Sequence, residues 1–155
     1  MFEKVVVCLD GSTLAEQILP YIEEESRSLG KVILLRVLSP PSVNVPIGIP
    51  GEAAGPVHSD AMLQRFQKDL KDALPYLETK AKPLREKGMD VECVVLEGLA
   101  SESIIQYARD NEVGIIAIAT HGHSGFRRIT MGSTAEYVLK NSGLPLLLVT
   151  PQKPR

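Results

Sequence analysis

The sequence contains no tryptophan, only two cysteines and no apolar run that approaches the roughly 20 residues needed to span a bilayer. Its 17 basic and 19 acidic residues nearly balance, whereas a nucleic-acid-binding surface needs clustered lysine and arginine. The first residues lack the basic stretch and the long apolar stretch of a secretory leader. We therefore expect a cytoplasmic protein that binds neither membranes nor nucleic acid.

The two cysteines, Cys8 and Cys93, each lie in a valine-rich segment. Cysteines in such surroundings are usually buried, reduced and inert. A redox pair is the alternative, but the sequence has no C-x-x-C motif. We expect two free thiols in the core.

Short apolar runs recur along the chain, whose 155 residues suit a single domain, 1–155. They are rich in valine, isoleucine and leucine and nearly continuous, as in strands buried on both faces of a parallel sheet. The predicted strands are residues 4–9, 32–38, 91–96, 113–119 and 144–150. The third contains Glu92, which favours a position at the sheet edge.

Helical patterns fill the intervals between these runs, at residues 13–29, 60–87, 101–111 and 133–141. Gly30 is the expected stop of the first helix. Pro75 and Pro83 predict a kink or a break in the second. In the last helix we expect Val138 and Leu139 to face inward.

The alternation of strands and helices implies right-handed crossovers and a doubly wound, open, parallel α/β sheet. In such sheets ligands bind beyond the carboxyl ends of the strands, where the strand order reverses. Residues 39–59 follow the second strand and hold five prolines and three glycines. We expect a mobile loop there that covers the site.

The segment after the fourth predicted strand contains a candidate anion site. Gly122 presents a backbone without Cβ near the strand exit, where a phosphate could come close. Gly132, Ser133 and Thr134 open the last helix, whose free N–H groups and positive dipole end favour an anion. The alternative is structural, because Ser133-x-x-Glu136 is also a capping box.

An aspartate, Asp10, ends the first predicted strand within the stretch Leu9-Asp10-Gly11-Ser12. Its carboxylate could accept hydrogen bonds from a ribose or a base. Its alternative role is to lie at the start of the next helix, where an acidic group suits the dipole.

The whole chain resembles a universal stress protein domain. The resemblance is carried by LDGS at 9–12, VILLRV at 32–37 and the long stretch 119–151. The nucleotide pattern of that family is G-x2-G-x9-G-[ST]. Here Ala119 replaces the first glycine, and the rest of the pattern is kept at Gly122 and at Gly132-Ser133.

The resemblance implies a Rossmann-like, adenine nucleotide alpha hydrolase-like fold with five parallel strands in the order 3-2-1-4-5. It implies a regulatory module that binds ATP in a stress response, with Mg²⁺ or Mn²⁺ bound through the phosphates. It also implies a homodimer joined through the final strand, from Leu144 to Val149. The nucleotide-binding residues that it implies are Leu9, Asp10, Val37, Ala119, Gly122, His123, Gly132, Ser133 and Thr134.

Two other functions stay open: a nucleotide-free dimeric interaction module of the same family, and an enzyme. No side chain is an obvious general base for attack on a γ-phosphate, so any ATP hydrolysis should be slow. His121 and His123 lack the three or four convergent ligands of a metal site. Arg127 and Arg128 suit either a phosphate or a solvated surface.

Overall fold

The structure is a computed structural model that describes residues 2–41, 60–120 and 131–152. The predicted loop 39–59 falls mostly outside these ranges, and so do Gly122 and His123 of the predicted nucleotide site. What the sequence predicts for them stays a prediction.

Strands and helices alternate along the described residues, as the sequence pattern indicates. The strands are β1 (Phe2–Cys8), β2 (Leu29–Leu38), β3 (Val91–Glu97), β4 (Ile115–Ala119) and β5 (Leu146–Val149). The helices are α1 (Leu19–Glu24), α2 (Asp60–Glu86), α3 (Ala100–Asp110) and α4 (Ser133–Asn141). A 3-10 turn, Ala15–Ile18, leads into α1.

All five strands are parallel and lie in the order β3-β2-β1-β4-β5. This confirms the predicted doubly wound α/β fold, including the edge position of β3. The register pairs Cys8 of β1 with Leu35 of β2 on one side and with Ile118 of β4 on the other. The carboxyl ends of the three central strands are therefore close together.

Helices cover both faces of the sheet, which explains why its strands are apolar almost without interruption. On one face, α1 and α2 pack against the strands through Ile22, Leu77 and Leu84. On the other face, α3 and α4 pack through Ile104 and Val138. The sheet thus separates two hydrophobic cores.

The first helical segment is shorter than predicted, and Gly30 does not end it. The segment ends with α1 at Glu24, and β2 already begins at Leu29. Gly30 lies inside β2, where a Cβ would come within 2.4 Å of the backbone oxygen of Glu3 in β1. The glycine therefore permits a close approach of two strands.

The helix α2 continues through Pro75 and Pro83, so the predicted break is wrong. Both prolines lie on the exposed side, where water can bind the carbonyl groups that lose their donors. The buried residues keep helical spacing past both prolines: Ala73, Leu77, Ala81 and Leu84.

Neither α2 nor any other helix in the described ranges is long and apolar enough to cross a membrane.

The last helix, α4, has the predicted bounds but not the predicted inward face. Val138 is fully buried, whereas Leu139 is 46% exposed. Successive side chains point about 100° apart around a helix, so only one of the two can face the core directly.

Gly30→Ala should lower the free energy of unfolding by about 1–3 kcal/mol, because the methyl group would push β2 away from β1. Gly114→Ala is the matched control, since its Cβ would meet Phe2 at 3.4 Å, an ordinary contact. Urea unfolding followed by circular dichroism measures both variants. Wild-type stability in Gly30→Ala would contradict the described pairing of β1 with β2.

The two cysteines are free thiols, as predicted, although both are half-buried rather than fully enclosed. Because β2 separates their strands, their Cα atoms are roughly 10 Å apart, beyond the reach of a disulfide. Burial raises the pKa of Cys8 to about 12 and is the main cause that raises the pKa of Cys93 to about 11.

A raised pKa keeps a thiol protonated, so iodoacetamide should alkylate both cysteines of the folded protein slowly at pH 8. The rate should rise as the pH approaches 11, with Cys93 reacting first because its pKa is the lower. Mass spectrometry measures the labelling, and protein unfolded in urea is the control. An intramolecular disulfide in the unreduced protein would be incompatible with the strand order.

Candidate functional site

A cleft opens beyond the carboxyl ends of β1, β2 and β4, beside the first turns of α3 and α4. Its volume is about 550 Å³, including the part open to solvent.

The strand order explains where the cleft lies. The chain crosses from β1 to β2 on one side, whereas β4 lies on the other side of β1. The helix that follows β1, α1, lies on one face of the sheet, and the helix that follows β4, α4, lies on the other. A crevice remains between them at the carboxyl end of β1, which is the usual ligand position in such sheets.

Most of the predicted nucleotide-binding residues meet in this cleft. Those that line it are Leu9, Asp10, Val37, Ala119, Gly132 and Thr134. Ser133 lies at the first position of α4 with an exposed side chain and does not line the cleft. Gly122 and His123 lie outside the described residues, as do His121, Arg127 and Arg128.

The inner wall of the cleft is apolar and was not predicted from the motif. The added lining residues are Cys8, Ala15, Leu35, Ala100, Ile104, Ile118 and Ala135. Their residue types do not distinguish them from the core. Leu35 could have been found, because it lies two positions before Val37 on the same face of β2. A flat apolar group such as a nucleobase suits this wall.

The turn at residues 10–12, here called the Asp10 turn, holds the carboxylate of Asp10 at the cleft. Its Oδ1 accepts hydrogen bonds from the Ser12 N–H at 2.8 Å and from the Ser12 hydroxyl at 2.5 Å. The Ser12 hydroxyl accepts a bond from the Ala15 N–H at 3.1 Å, at the start of the 3-10 turn. Asp10 therefore takes its alternative role, because its turn supports the start of the helical segment, and it also lines the cleft. Its bond to a ribose or a base stays a prediction.

The first turn of α4 forms another wall. Gly132 is the N-cap residue, and no side chain caps the helix, so the capping box that was the structural alternative for Ser133 and Glu136 is not formed. Glu136 instead accepts a hydrogen bond from Lys140 at 2.6 Å. The first N–H groups of a helix have no acceptor within it and lie at its positive end, which favours an anion.

Asp10 carries the only formal charge among the described residues that line the cleft. A carboxylate suits hydroxyl donors such as those of a sugar and repels phosphate. The anionic part of a ligand therefore fits the start of α4 better than the Asp10 turn. Within the described ranges, no three histidine, cysteine, aspartate or glutamate side chains converge as metal ligands.

The sequence profile of the universal stress protein family matches residues 1–150, nearly the whole chain. The chain belongs to the universal stress protein family. The predicted family is thus confirmed, and membership of its ATP-binding group stays a prediction.

Two universal stress proteins of Methanocaldococcus jannaschii are similar over most of their length. The protein MJ0531 is 27% identical over 155 residues, which cover 99% of this chain and 85% of that protein. The protein MJ0577 is 27% identical over 161 residues, which cover 96% of this chain and 95% of that protein.

Solved structures of universal stress proteins agree with the fold. The structure of MJ0577 has a TM-score of 0.78 at 26% identity and covers 99% of both chains. A family protein of Arabidopsis thaliana, solved with AMP bound, has a TM-score of 0.61 at 17% identity and covers 96% of this chain and 92% of that one. At the latter identity, the likeness shows the fold alone.

Proposed function

We propose that this universal stress protein binds ATP in the cleft and acts as a regulatory module, whose surface changes with nucleotide occupancy in a stress response. The observation that carries the proposal is the convergence of Asp10, Val37 and the first turn of α4 on one largely apolar cleft. Each offers a suitable contact to a different part of a nucleotide. The AMP complex of the Arabidopsis thaliana protein supports an adenine nucleotide as the ligand class.

The adenine base would meet the backbone of Val37. In β2, Leu35 accepts a bond from the Leu9 N–H at 2.9 Å on the β1 side, and Leu38 accepts one from the Gly98 N–H at 2.9 Å on the β3 side. Successive residues of a strand turn their backbone groups to alternate edges, so those of Val37 face the β1 side. Because pairing with β1 ends at Leu35, the N–H and C=O of Val37 are placed to pair with a base edge.

The ribose hydroxyls would donate to Asp10, and the phosphates would bind at Gly132, Ser133 and Thr134. An accompanying Mg²⁺ or Mn²⁺ would neutralise phosphate charge. It would be held through the phosphates, since no cluster of metal ligands occurs in the described part of the chain.

The site is proposed for binding rather than for catalysis. Asp10 and Cys8 are the ionisable side chains among the described lining residues. Asp10 already accepts two hydrogen bonds from Ser12, and burial raises the pKa of Cys8 to about 12. Neither is suited to remove a proton from water near neutral pH, so any ATP hydrolysis is expected to be slow.

Gly132→Val should weaken ATP binding about tenfold or more and spare adenosine, because the branched side chain would fill the space of the phosphates. The backbone angles of Gly132, φ −52° and ψ 150°, suit any residue, so the fold should survive. Calorimetric titration measures both ligands. Leu139→Ala, at an exposed position of the same helix, is the control.

Equal ATP affinity in Gly132→Val and the wild type would mean that the phosphates do not bind at α4. A wild-type protein that binds neither ATP nor adenosine would refute the proposed function itself.

We also propose a homodimer joined through the final strand, from Leu144 to Val149. β5 is an edge strand, and the carbonyl groups of Pro145 and Val149 accept bonds from the N–H groups of Ile116 in β4 and of Thr120 directly after it. By alternation, Leu146 and Leu148 turn their backbone groups away from the sheet. A second copy, antiparallel about a two-fold axis, would pair both edges and leave one nucleotide site on each subunit.

Light scattering at micromolar concentration should give a mass near twice the 16.9 kDa of one chain. Leu148→Pro removes an outward N–H while keeping the bonds to β4, and it should shift the protein toward monomer. Circular dichroism checks that this variant is folded. A monomer mass for the wild type would rule out the proposed interface.

A further inference from the structure

A cluster of polar side chains lies behind the Asp10 turn, on the face of the sheet covered by α2. It consists of Arg36 of β2, Glu16 of the 3-10 turn, and Tyr76 and Lys80 of α2. The Tyr76 hydroxyl donates to Glu16 at 2.8 Å, and the Lys80 ammonium lies 3.1 Å from the same carboxylate. The guanidinium carbon of Arg36 lies 5.4 Å from the centre of the Tyr76 ring. None of the four side chains lines the cleft.

The Arg36 guanidinium lies directly against the Asp10 turn. Gly11, at the centre of this turn, has φ +86°, which favours glycine. A Cβ on Gly11 would come within 3.0 Å of Nη2 and 3.1 Å of Cζ of Arg36. The flat guanidinium therefore fills the space between the Gly11 backbone and the Tyr76 ring.

The Nε atom of this guanidinium is held by packing rather than by a hydrogen bond. It is buried and has no hydrogen-bond partner in the described part of the chain. An unpaired buried donor is unfavourable, so the Tyr76 ring and the turn must compensate for it.

The charges of the turn and the cluster are also close to one another. Burial is the main cause that raises the pKa of Tyr76, followed by its hydrogen bond to Glu16. The Asp10 carboxylate raises this pKa further and the Arg36 guanidinium lowers it. The Asp10 carboxylate and the Arg36 guanidinium therefore both lie near the Tyr76 hydroxyl.

We propose that Arg36 is a positioning residue for the nucleotide site, an inference that rests on the proposed function. The bonds from Ser12 fix the Asp10 carboxylate within its turn. The planar guanidinium of Arg36 packs between that turn and the Tyr76 ring of α2, and so holds the turn in place. Arg36 touches no ligand and acts through the position of Asp10, where the ribose binds.

Arg36→Met and Arg36→Lys separate the plane of the guanidinium from its charge. Methionine keeps an unbranched chain and removes both, whereas lysine keeps the charge and removes the plane. Both variants should bind ATP and adenosine roughly tenfold more weakly, and by the same factor, because both ligands carry the ribose. Calorimetry is performed at a temperature at which circular dichroism shows every variant to be folded.

Tyr76 provides a second, independent arm of the test. Tyr76→Phe keeps the ring and should retain wild-type affinity, whereas Tyr76→Leu should weaken binding as Arg36→Met does. Combining Tyr76→Leu with Arg36→Met should weaken it no further, because the two residues act as one unit. Arg65→Met, which removes an arginine of α2 whose side chain is 85% exposed, is the matched control.

If Arg36→Met bound ATP and adenosine with wild-type affinity, the positioning role would be overturned, even if the variant melted at a lower temperature. The proposed function would still stand. Full affinity in Arg36→Lys would show that charge rather than the plane is required, and would overturn it as well. A loss confined to ATP would instead place Arg36 at the phosphates and contradict the inference. If the wild type bound neither ligand, the inference and the proposed function would fall together.

Discussion

The middle of the central strand β1 is buried on both faces of the sheet, and the position of the site depends on this. Val5 and Val7 are buried in the core beneath α1 and α2, whereas Val6 is buried in the core beneath α3 and α4. A strand buried in this way needs a neighbour at each edge, and β2 and β4 supply them. β1 is followed by α1 on one face of the sheet, and its neighbour β4 is followed by α4 on the other face, so the cleft is the space left between them at the carboxyl ends of the two strands.

The Asp10 turn connects this core to the chemistry of the cleft. Leu9 is only 3% exposed, and its N–H donates to Leu35 at 2.9 Å, so the backbone that carries Asp10 is anchored by packing and by the sheet. Ser12 then ties the carboxylate to the start of the 3-10 turn, and Arg36 supports the turn from behind. The described part of the site is therefore built on rigid elements, which reduces the reorganisation that binding requires.

The strand order is what the family resemblance implies, whereas the sequence pattern itself predicts the five strands, the parallel α/β class and the position of Asp10 at a strand exit, because continuous apolar strands and a polar residue that follows one are distinctive patterns. It fails where a role depends on a contact distant in sequence. Gly30 resembles a helix stop until Glu3 is found beside it. The exposure of Leu139 depends on the rotation of α4 about its axis. Leu35 and Ile104 line the cleft, yet they are of the same type as the core residues around them.

The central claim is that one nucleotide occupies the cleft with its base at β2 and its phosphates at α4. A crystal structure of the wild-type protein grown with saturating ATP tests this most directly. The account predicts adenine beside the Val37 backbone, ribose hydroxyls within hydrogen-bond distance of Asp10, and phosphates at the start of α4. An empty cleft with ATP bound elsewhere on the surface, or phosphates at Asp10 with the base at α4, would contradict it.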